Sequence, residues 1–395
     1  MKKKLALIVI SLDECFTKTG FSGGGHKVTK NLILGLIASN LFEIDIFCKK
    51  SDISSLDGIN SIKVLNKKTF LKELEHELEQ KDYDFILSSD VLLPFGNLII
   101  HSNSAKYKTK NGKKKFIEQF LKIYNRKKIK KEEKTFKLND KNIFTVSESL
   151  KKDYVQSYNI DENKVFAMHP GLDDTEEFSP PEKKENFTIG SFAGGGLNKG
   201  GYLLLFALNK LKKTPLTLTL TSHQNITGVL ARQSHKGRGE SQNNIKARII
   251  FPKIHKAGVY KFLINILKLN DIVELLPKQK DMKAFYQSID CYVLPSLNEA
   301  FGLVVVEAAA YSRPSLVSST TGVCELIKDG ENGFVFDRAK NPLKNLTESL
   351  KRAYELYFSD YSKYIEISKN AYEMSKTLEW QKFVDTIVTN LKEEK

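Results

Sequence analysis

The amino-acid sequence predicts an α/β protein of two Rossmann-like domains, each built around a parallel, doubly wound sheet. Three observations lead there. The chain has 395 residues, long for a single hydrophobic core, so two domains are expected. Short aliphatic or β-branched runs alternate with helical patterns, as in a parallel sheet covered by helices. The same alternation then begins again after a proline-rich joint.

Leu5–Ile10 reads as a buried first strand, followed by a loop with Gly20 and Gly23–Gly25. Val28, Leu32, Leu36 and Ile37 recur at helical spacing. Ile44–Cys48 and Ile62–Leu65 read as strands and Phe70–Gln80 as a helix. Phe85–Ser88, Leu98–His101, Ile143–Val146 and Val165–Met168 are further strands. Phe178–Glu185 (FSPPEKKE) is a linker, because paired prolines stop a helix. Strands resume at Phe187–Phe192, Leu216–Leu220, Arg248–Phe251, Ile272–Leu276, Cys291–Pro295, Pro314–Ser318 and Gly333–Phe336. Ser222–Ala247 is polar and without periodicity, and reads as a long loop or insertion. Tyr354–Lys395 is helical in pattern, with Trp380, Phe383 and Ile387 on one face.

The composition fits a globular chain. The apolar fraction is 41%, and glycine and proline are not enriched. Met1–Ile10 combines three lysines with an apolar run of six residues, and Asp13 and Glu14 follow closely. A secretory core segment needs roughly 7–15 apolar residues, so this start reads as a strand. No run approaches the ~18–20 apolar residues of a membrane span. Four scattered cysteines without a CxxC pair suit a reducing compartment. The chain therefore reads as cytoplasmic, with at most peripheral membrane contact. A net charge of +15 points to anionic partners.

The densest chemical signal is Leu294–Glu307 (LPSLNEAFGLVVVE). A strand ends at Pro295–Ser296, a loop follows, and a helix runs through Val304–Tyr311. Gly302 and unpaired backbone N–H groups then open a helix. Such a terminus carries roughly half a positive elementary charge and suits a diphosphate. Glu299 precedes the helix and Glu307 lies inside it, so both carboxylates can face one cleft. Ligands of open α/β sheets bind beyond the carboxyl ends of the strands, where this segment lies. The three glycines of Ser22–Gly25 let backbone approach a ligand closely. A G-x-G-x-x-G pattern is absent, which argues against a nicotinamide cofactor. Asp82-Tyr83-Asp84 spells a D-x-D metal motif but precedes an apolar strand, and reads as a strand-entry turn. No His/Cys/Asp cluster has metal-ligand spacing, so neither metal nor cofactor is expected.

With these residues the sequence resembles the family 4 glycosyltransferases of GT-B fold. Their signature is two glutamates separated by seven residues, met here by Glu299 and Glu307. Pro295–Ser296 before the pair, and Gly322, Glu325, Gly330 and Asn332–Gly333 after it, agree. The resemblance implies two domains facing a central cleft: an acceptor domain, 1–180, and a donor domain, 181–375. It also implies a C-terminal helix, 376–395, that packs back on the first domain. Glu299 would contact hydroxyls of the donor sugar. The donor site would include Asn298, Ala300, Phe301, Gly302 and Leu303, whose backbone would hold sugar and diphosphate. Glu307 would accept hydrogen bonds from the ribose diol, a role that suits an acceptor-only carboxylate. Lys199, in Gly194–Gly201 (GGGLNKGG), would neutralise charge growing on the diphosphate. The family commonly has an arginine five residues before this lysine. Here that position is Gly194, which leaves a second phosphate contact unassigned. Gly24 and Gly25 are the natural counterparts of a family Gly-Gly pair. His101 stands where the family often has a histidine near the donor sugar. His26 is a further candidate, and His169 reads as structural.

The implied reaction is hexosyl transfer from a nucleotide-diphosphate sugar with retention at the anomeric carbon, without a metal. UDP is favoured on frequency alone. The acceptor would be a cell-surface glycan, a lipid-linked saccharide or a protein. The same fold also hosts sugar-nucleotide epimerases, and the missing arginine raises the alternative of a catalytically silent partner subunit. A nucleic-acid-binding protein would fit the charge but leaves the glutamate pair unexplained. Lys106–Lys134 holds thirteen basic and three acidic residues. Phe116, Ile117, Phe120, Leu121 and Tyr124 share one helical face there. That stretch suits an anionic membrane surface, an anionic acceptor saccharide, or simply a helix with a solvated basic face.

Overall fold

The computed structural model describes residues 2–16, 23–106, 115–173, 176–192, 197–213, 244–250, 257–277, 279 and 282–393. Side chains are described for these except 115–124, 197 and 213. The first half runs β1 (Lys3–Val9), α1 (Gly24–Ser39), β2 (Phe42–Cys48), β3 (Ser61–Val64), α2 (Phe70–Glu79) and β4 (Phe85–Ser89). It continues with β5 (Asn97–Ile100), α3 (Lys115–Leu138), β6 (Ile143–Thr145), α4 (Glu148–Tyr158) and β7 (Val165–Ala167). The second half runs β8 (Phe187–Phe192), α5 (Gly201–Lys213), β9 (Ile245–Ile250), α6 (Gly258–Ile266), β10 (Val273–Leu276), α7 (Met282–Gln287) and β11 (Cys291–Leu294). Then come α8 (Leu303–Ala310), β12 (Ser315–Ser318), β13 (Phe334–Phe336), α9 (Pro342–Ser359), α10 (Tyr361–Lys376) and α11 (Trp380–Glu393).

Each half forms its own parallel sheet. The strand orders are β3-β2-β1-β4-β5-β6-β7 and β10-β9-β8-β11-β12-β13. Leu5 of β1 pairs with Ile44 on one side and Phe85 on the other. Central strands such as Leu5–Val9 and Cys291–Leu294 are buried along their whole length, as expected when helices cover both faces. In each sheet the order reverses beside the first strand, between β1 and β4 and between β8 and β11. That is the topological switch point at which open sheets bind ligands. The glycine-rich segments after β1 and β8 both start there.

One expectation changes. Ile245–Ala247, read as the end of a loop, belongs to β9. Its exposed Lys246 and half-exposed Arg248 alternate with buried Ile245, Ala247 and Ile249, so a genuine period-2 strand looked merely polar. Tyr354–Lys395, read as helical in pattern, divides into the end of α9, α10 and α11. Asp360 ends α9 and caps α10, its carboxylate accepting from Lys363 N–H at 3.0 Å. The expected strand 216–220 and most of the expected loop 222–247 lie outside the described residues.

The linker after residue 175 is held by tyrosine hydroxyls and one buried guanidinium. Tyr372 donates to Glu176 O at 2.8 Å and Tyr357 to Glu182 O at 3.1 Å. Arg313 donates to Ser179 O at 2.7 Å and to Tyr311 O at 2.9 Å. The chain then returns to the first domain. Leu172 N–H donates to Leu378 O at 3.1 Å, and α11 packs on α1 with Phe383, Val384, Ile387 and Leu391 buried. Among the described residues no helix is long and apolar enough to cross a membrane.

Candidate active site

Two loops of the second domain form one wall of the cleft, one after β8 and one after β11. Gly200 has a φ of +69°, and a Cβ there would lie 1.9 Å from the carbonyl oxygen of Pro295. Only glycine lets the first loop press so closely on the second. Leu297 N–H donates to Asn198 O at 2.7 Å and fastens them together. Lys199 Nζ consequently reaches Glu299 Oε2 at 2.6 Å, with Ser296 Oγ 3.4 Å from the same oxygen. Both partners are partly exposed. Such a pair is worth about 1 kcal/mol or less, so a diphosphate and a sugar hydroxyl can replace it.

Gly302 opens α8 with a φ of +120°, a conformation that disfavours any side chain. The carbonyls of Glu299 and Phe301 accept from Gly322 and Val323 N–H at 3.0 and 2.9 Å. This fixes the loop that carries buried Asn298 and half-buried Ala300. Val305 N–H donates to Gly302 O at 2.9 Å, while the N–H groups of Leu303 and Val304, the first two of α8, have no carbonyl partner within the helix.

The first domain supplies the opposite wall. Its α1 opens at Gly24, where a Cβ would stand 3.5 Å from Leu303 Cδ1. The first turns of α1 and α8 thus meet across the domain boundary, each bringing the partial positive charge of a helix start. Lys27, one turn into α1, crosses the boundary. Its Nζ lies 2.8 Å from Glu307 Oε1 and 3.1 Å from Asp173 Oδ2. Burial works against the Lys27 charge, but the two carboxylates outweigh it and hold its pKa above the ordinary lysine value. Tyr286 donates its hydroxyl to the other Glu307 oxygen at 2.9 Å. Asp173 also accepts from Asn31 and Trp380 at 3.0 and 2.9 Å.

His101 sits just beyond β5, its ring packed on Gly25. Its Nε2 lies 3.4 Å from Ser89 Oγ and its Nδ1 3.6 Å from Asp90. Burial pushes its pKa down, with Asp90 pulling the other way. The imidazole is therefore neutral near pH 7 and acts as a hydrogen-bonding group, not a cation. His26 pairs with Glu14 at 2.9 Å. His169 joins the domains: it meets Glu325 at 2.6 Å and stacks on Phe301 at 5.7 Å. The D-x-D turn is tied into β-sheet contacts, Asp84 to Lys3 at 2.7 Å and Tyr83 to Asp45 at 2.8 Å.

The sequence-read residues Glu299, Lys199, Glu307, His101, Gly24, Gly25 and Asn298 through Leu303 are thus connected around one cleft. Gly194 lies outside the described residues. Lys27, Asp173 and Tyr286 were missed. A lysine one turn into a glycine-opened helix was a usable signal for Lys27. Nothing local marks Tyr286. Among the described residues no three His, Cys, Asp or Glu side chains gather as a metal-ion set.

A model of the family described as glycosyl transferases group 1 matches residues 173–374. The chain is 27% identical over 150 residues to an uncharacterized glycosyltransferase of Haemophilus influenzae, a match covering 38% of this chain and 36% of that protein. It is 24% identical over 237 residues to a D-inositol 3-phosphate glycosyltransferase of Nocardiopsis dassonvillei, covering 59% of this chain and 51% of that one. The matched stretch thus spans about a third to a half of these curated relatives. Among solved structures, sucrose-phosphate synthase from Thermosynechococcus elongatus aligns with a TM-score of 0.71 at 14% identity, over 99% of both chains. The Anabaena protein HepE, solved in complex with UDP-glucose, aligns at 0.64 and 13% identity, over 99% of this chain and 100% of that one. These neighbours share the architecture of two Rossmann-like domains, the GT-B fold.

Proposed function

The chain belongs to the group 1 glycosyl transferases, and from that membership we propose that it transfers a sugar from a nucleotide-diphosphate sugar, by preference a UDP-sugar, to a saccharide, lipid-linked or protein acceptor. One observation carries the reading: the two glutamates of the donor loop and helix each meet a lysine in the same cleft, Glu299 with Lys199 and Glu307 with Lys27. Each contact is a place-holder for a ligand group. Glu299 exchanges Lys199 for a sugar hydroxyl, and Lys199 turns to the diphosphate. Glu307 exchanges Lys27 for the ribose diol. Lys27 then adds the second cation whose usual position is Gly194.

The reaction proposed is the retaining one of family 4. The bond from the anomeric carbon to the diphosphate oxygen breaks, and the bond to the acceptor oxygen forms on the same face. The acceptor proton passes to the leaving phosphate oxygen. Neither Glu299 nor Glu307 is assigned as a nucleophile, since each is committed to binding. Lys199, Lys27 and the two helix starts stabilise the departing charge, a role that needs no metal. The site works from the cytoplasmic side, and the acceptor enters from the first domain.

The test is turnover of UDP-, GDP-, ADP- and dTDP-sugars with EDTA present, followed by product analysis. Lys199→Ala should lower kcat about 10²–10³-fold. Glu307→Ala should weaken nucleotide binding about tenfold. Full transfer activity in both variants would sink the site assignment. An epimerised free sugar nucleotide without transfer would replace the transferase reading with an epimerase.

A further inference from the structure

The first domain holds a cavity of about 270 Å³ to which no role has been assigned, lined by Lys49, Asp90, Ser102, Lys128, Lys131 and Glu132 among others. It lies at the carboxyl ends of β2, β4 and β5, the ligand-binding edge of an open sheet. Its volume falls just below the roughly 300–1,000 Å³ of drug-sized pockets, room for a single sugar ring.

Its polar groups are incompletely satisfied. Glu132 is 1% exposed. Its Oε2 accepts from Ala105 N–H at 2.8 Å and from the Tyr158 hydroxyl. Its Oε1 is buried and accepts no hydrogen bond, the nearest cation being Lys128 at 3.6 Å. A buried carboxylate oxygen left in that state costs about 1–3 kcal/mol unless a ligand donates to it. The lysines show the opposite deficit. Lys49 lies 4.6 Å over the Phe70 ring. Burial and the charge of Lys131 both push its pKa down. Neither Lys49 nor Lys131 has a carboxylate within ion-pair distance among the described residues. The recess thus holds three lysines against two carboxylates, Asp90 and Glu132, and Lys49 and Lys131 pair with neither of them. The recess also adjoins the cleft: Asp90, on its wall, is 3.6 Å from His101, whose ring rests on Gly25.

Resting on the glycosyltransferase reading, we propose that this cavity is the acceptor subsite and that it takes a monosaccharide carrying an anionic group, a phosphate or a carboxylate. Lys49 and Lys131 hold the anion. Glu132 Oε1 accepts from a ring hydroxyl. Asp90 turns a further hydroxyl towards His101 and the donor sugar. The lysines line a recess, which favours a small anion over a flat membrane surface.

Titration calorimetry on the full chain tests this, with UDP saturating so that the diphosphate site is filled. The probes are hexoses, their 6-phosphates, hexuronates and inorganic phosphate. The anionic sugars should bind at least about tenfold more tightly than neutral ones, and Lys49→Gln and Lys131→Gln should each remove about that factor. UDP affinity and melting temperature should be unchanged in both variants. The phosphate and uronate arms tell which anion is preferred. Equal binding of neutral and anionic sugars would overturn the proposal. So would an anion preference that survives in the double variant. The donor reading fails separately, through absence of UDP binding in the wild type.

Discussion

Asp290 shows how one residue couples the fold to pH. It is buried at the foot of β11, its carboxylate accepting from Thr188 N–H at 2.7 Å. Burial pushes its pKa up to about 6 from 3.8, against that hydrogen bond and the charges of Lys184 and Arg313. The sign follows from linkage. The folded state prefers the protonated form, so this contribution is fullest below about pH 4 and is lost as pH rises through about 6. Asp290→Asn keeps an oxygen for Thr188 and removes the charge. It should stabilise the chain by roughly 1–3 kcal/mol at pH 7.5 and by nothing below pH 4. Calorimetry at both pH values decides, and an equal gain at both would refute the assignment. At this scale sequence and structure diverge in an instructive way. Glu299 and Glu307 were legible because they share one short segment. The pairing of Lys27 was not, because its partner Glu307 stands 280 positions away; the one local signal for Lys27 was its place a turn into a glycine-opened helix.

At the scale of elements, the strands were readable because parallel strands buried on both faces are nearly continuous apolar runs. Their ends moved by only a residue or two. β9 was the exception, since two basic side chains masked its alternation. The linker was legible as a joint through its prolines. The tyrosine hydroxyls that hold it were not, because a buried tyrosine looks like any core aromatic. The opening of α1 makes a prediction about an element start. A Cβ on Gly25 would lie 2.6 Å from His101 Nδ1, so Gly25→Ala must swing the imidazole away from the cleft. Misplacement by about 1 Å costs up to about 10²-fold in rate. Steady-state kinetics should show kcat lower by about ten- to a hundredfold, with UDP affinity and melting temperature little changed. An unaltered kcat would remove His101 from the reaction.

At the scale of the molecule, the two domains are clasped by Glu325. Its carboxylate receives His169 Nε2 at 2.6 Å and the N–H groups of Glu148 and Ser149 at 3.0 and 3.1 Å. A side chain of the second domain thus caps α4 of the first. Burial alone would raise the Glu325 pKa, but these three donors lower it below its ordinary 4.5. The clasp is therefore complete above about pH 4.5 and released as pH falls below the depressed value. Glu325→Ala at neutral pH should weaken the domain contact by about 1–3 kcal/mol. The expected readouts are a larger radius of gyration in solution scattering and a raised KM for the donor. If neither changes, the clasp does not hold the cleft. How the halves face each other was legible only through family resemblance, because the contacts that join them pair residues far apart in the chain, such as His169 with Glu325 and Lys27 with Glu307.

The return of α11 to α1 also has a consequence in time. Val384 packs on Gly35, so the ribosome must add roughly 350 residues between the two surfaces. At about 5–20 residues per second that takes about 20–70 s. During that interval the surface of α1 around Gly35 lacks the cover that Val384 and its helix give it in the finished chain.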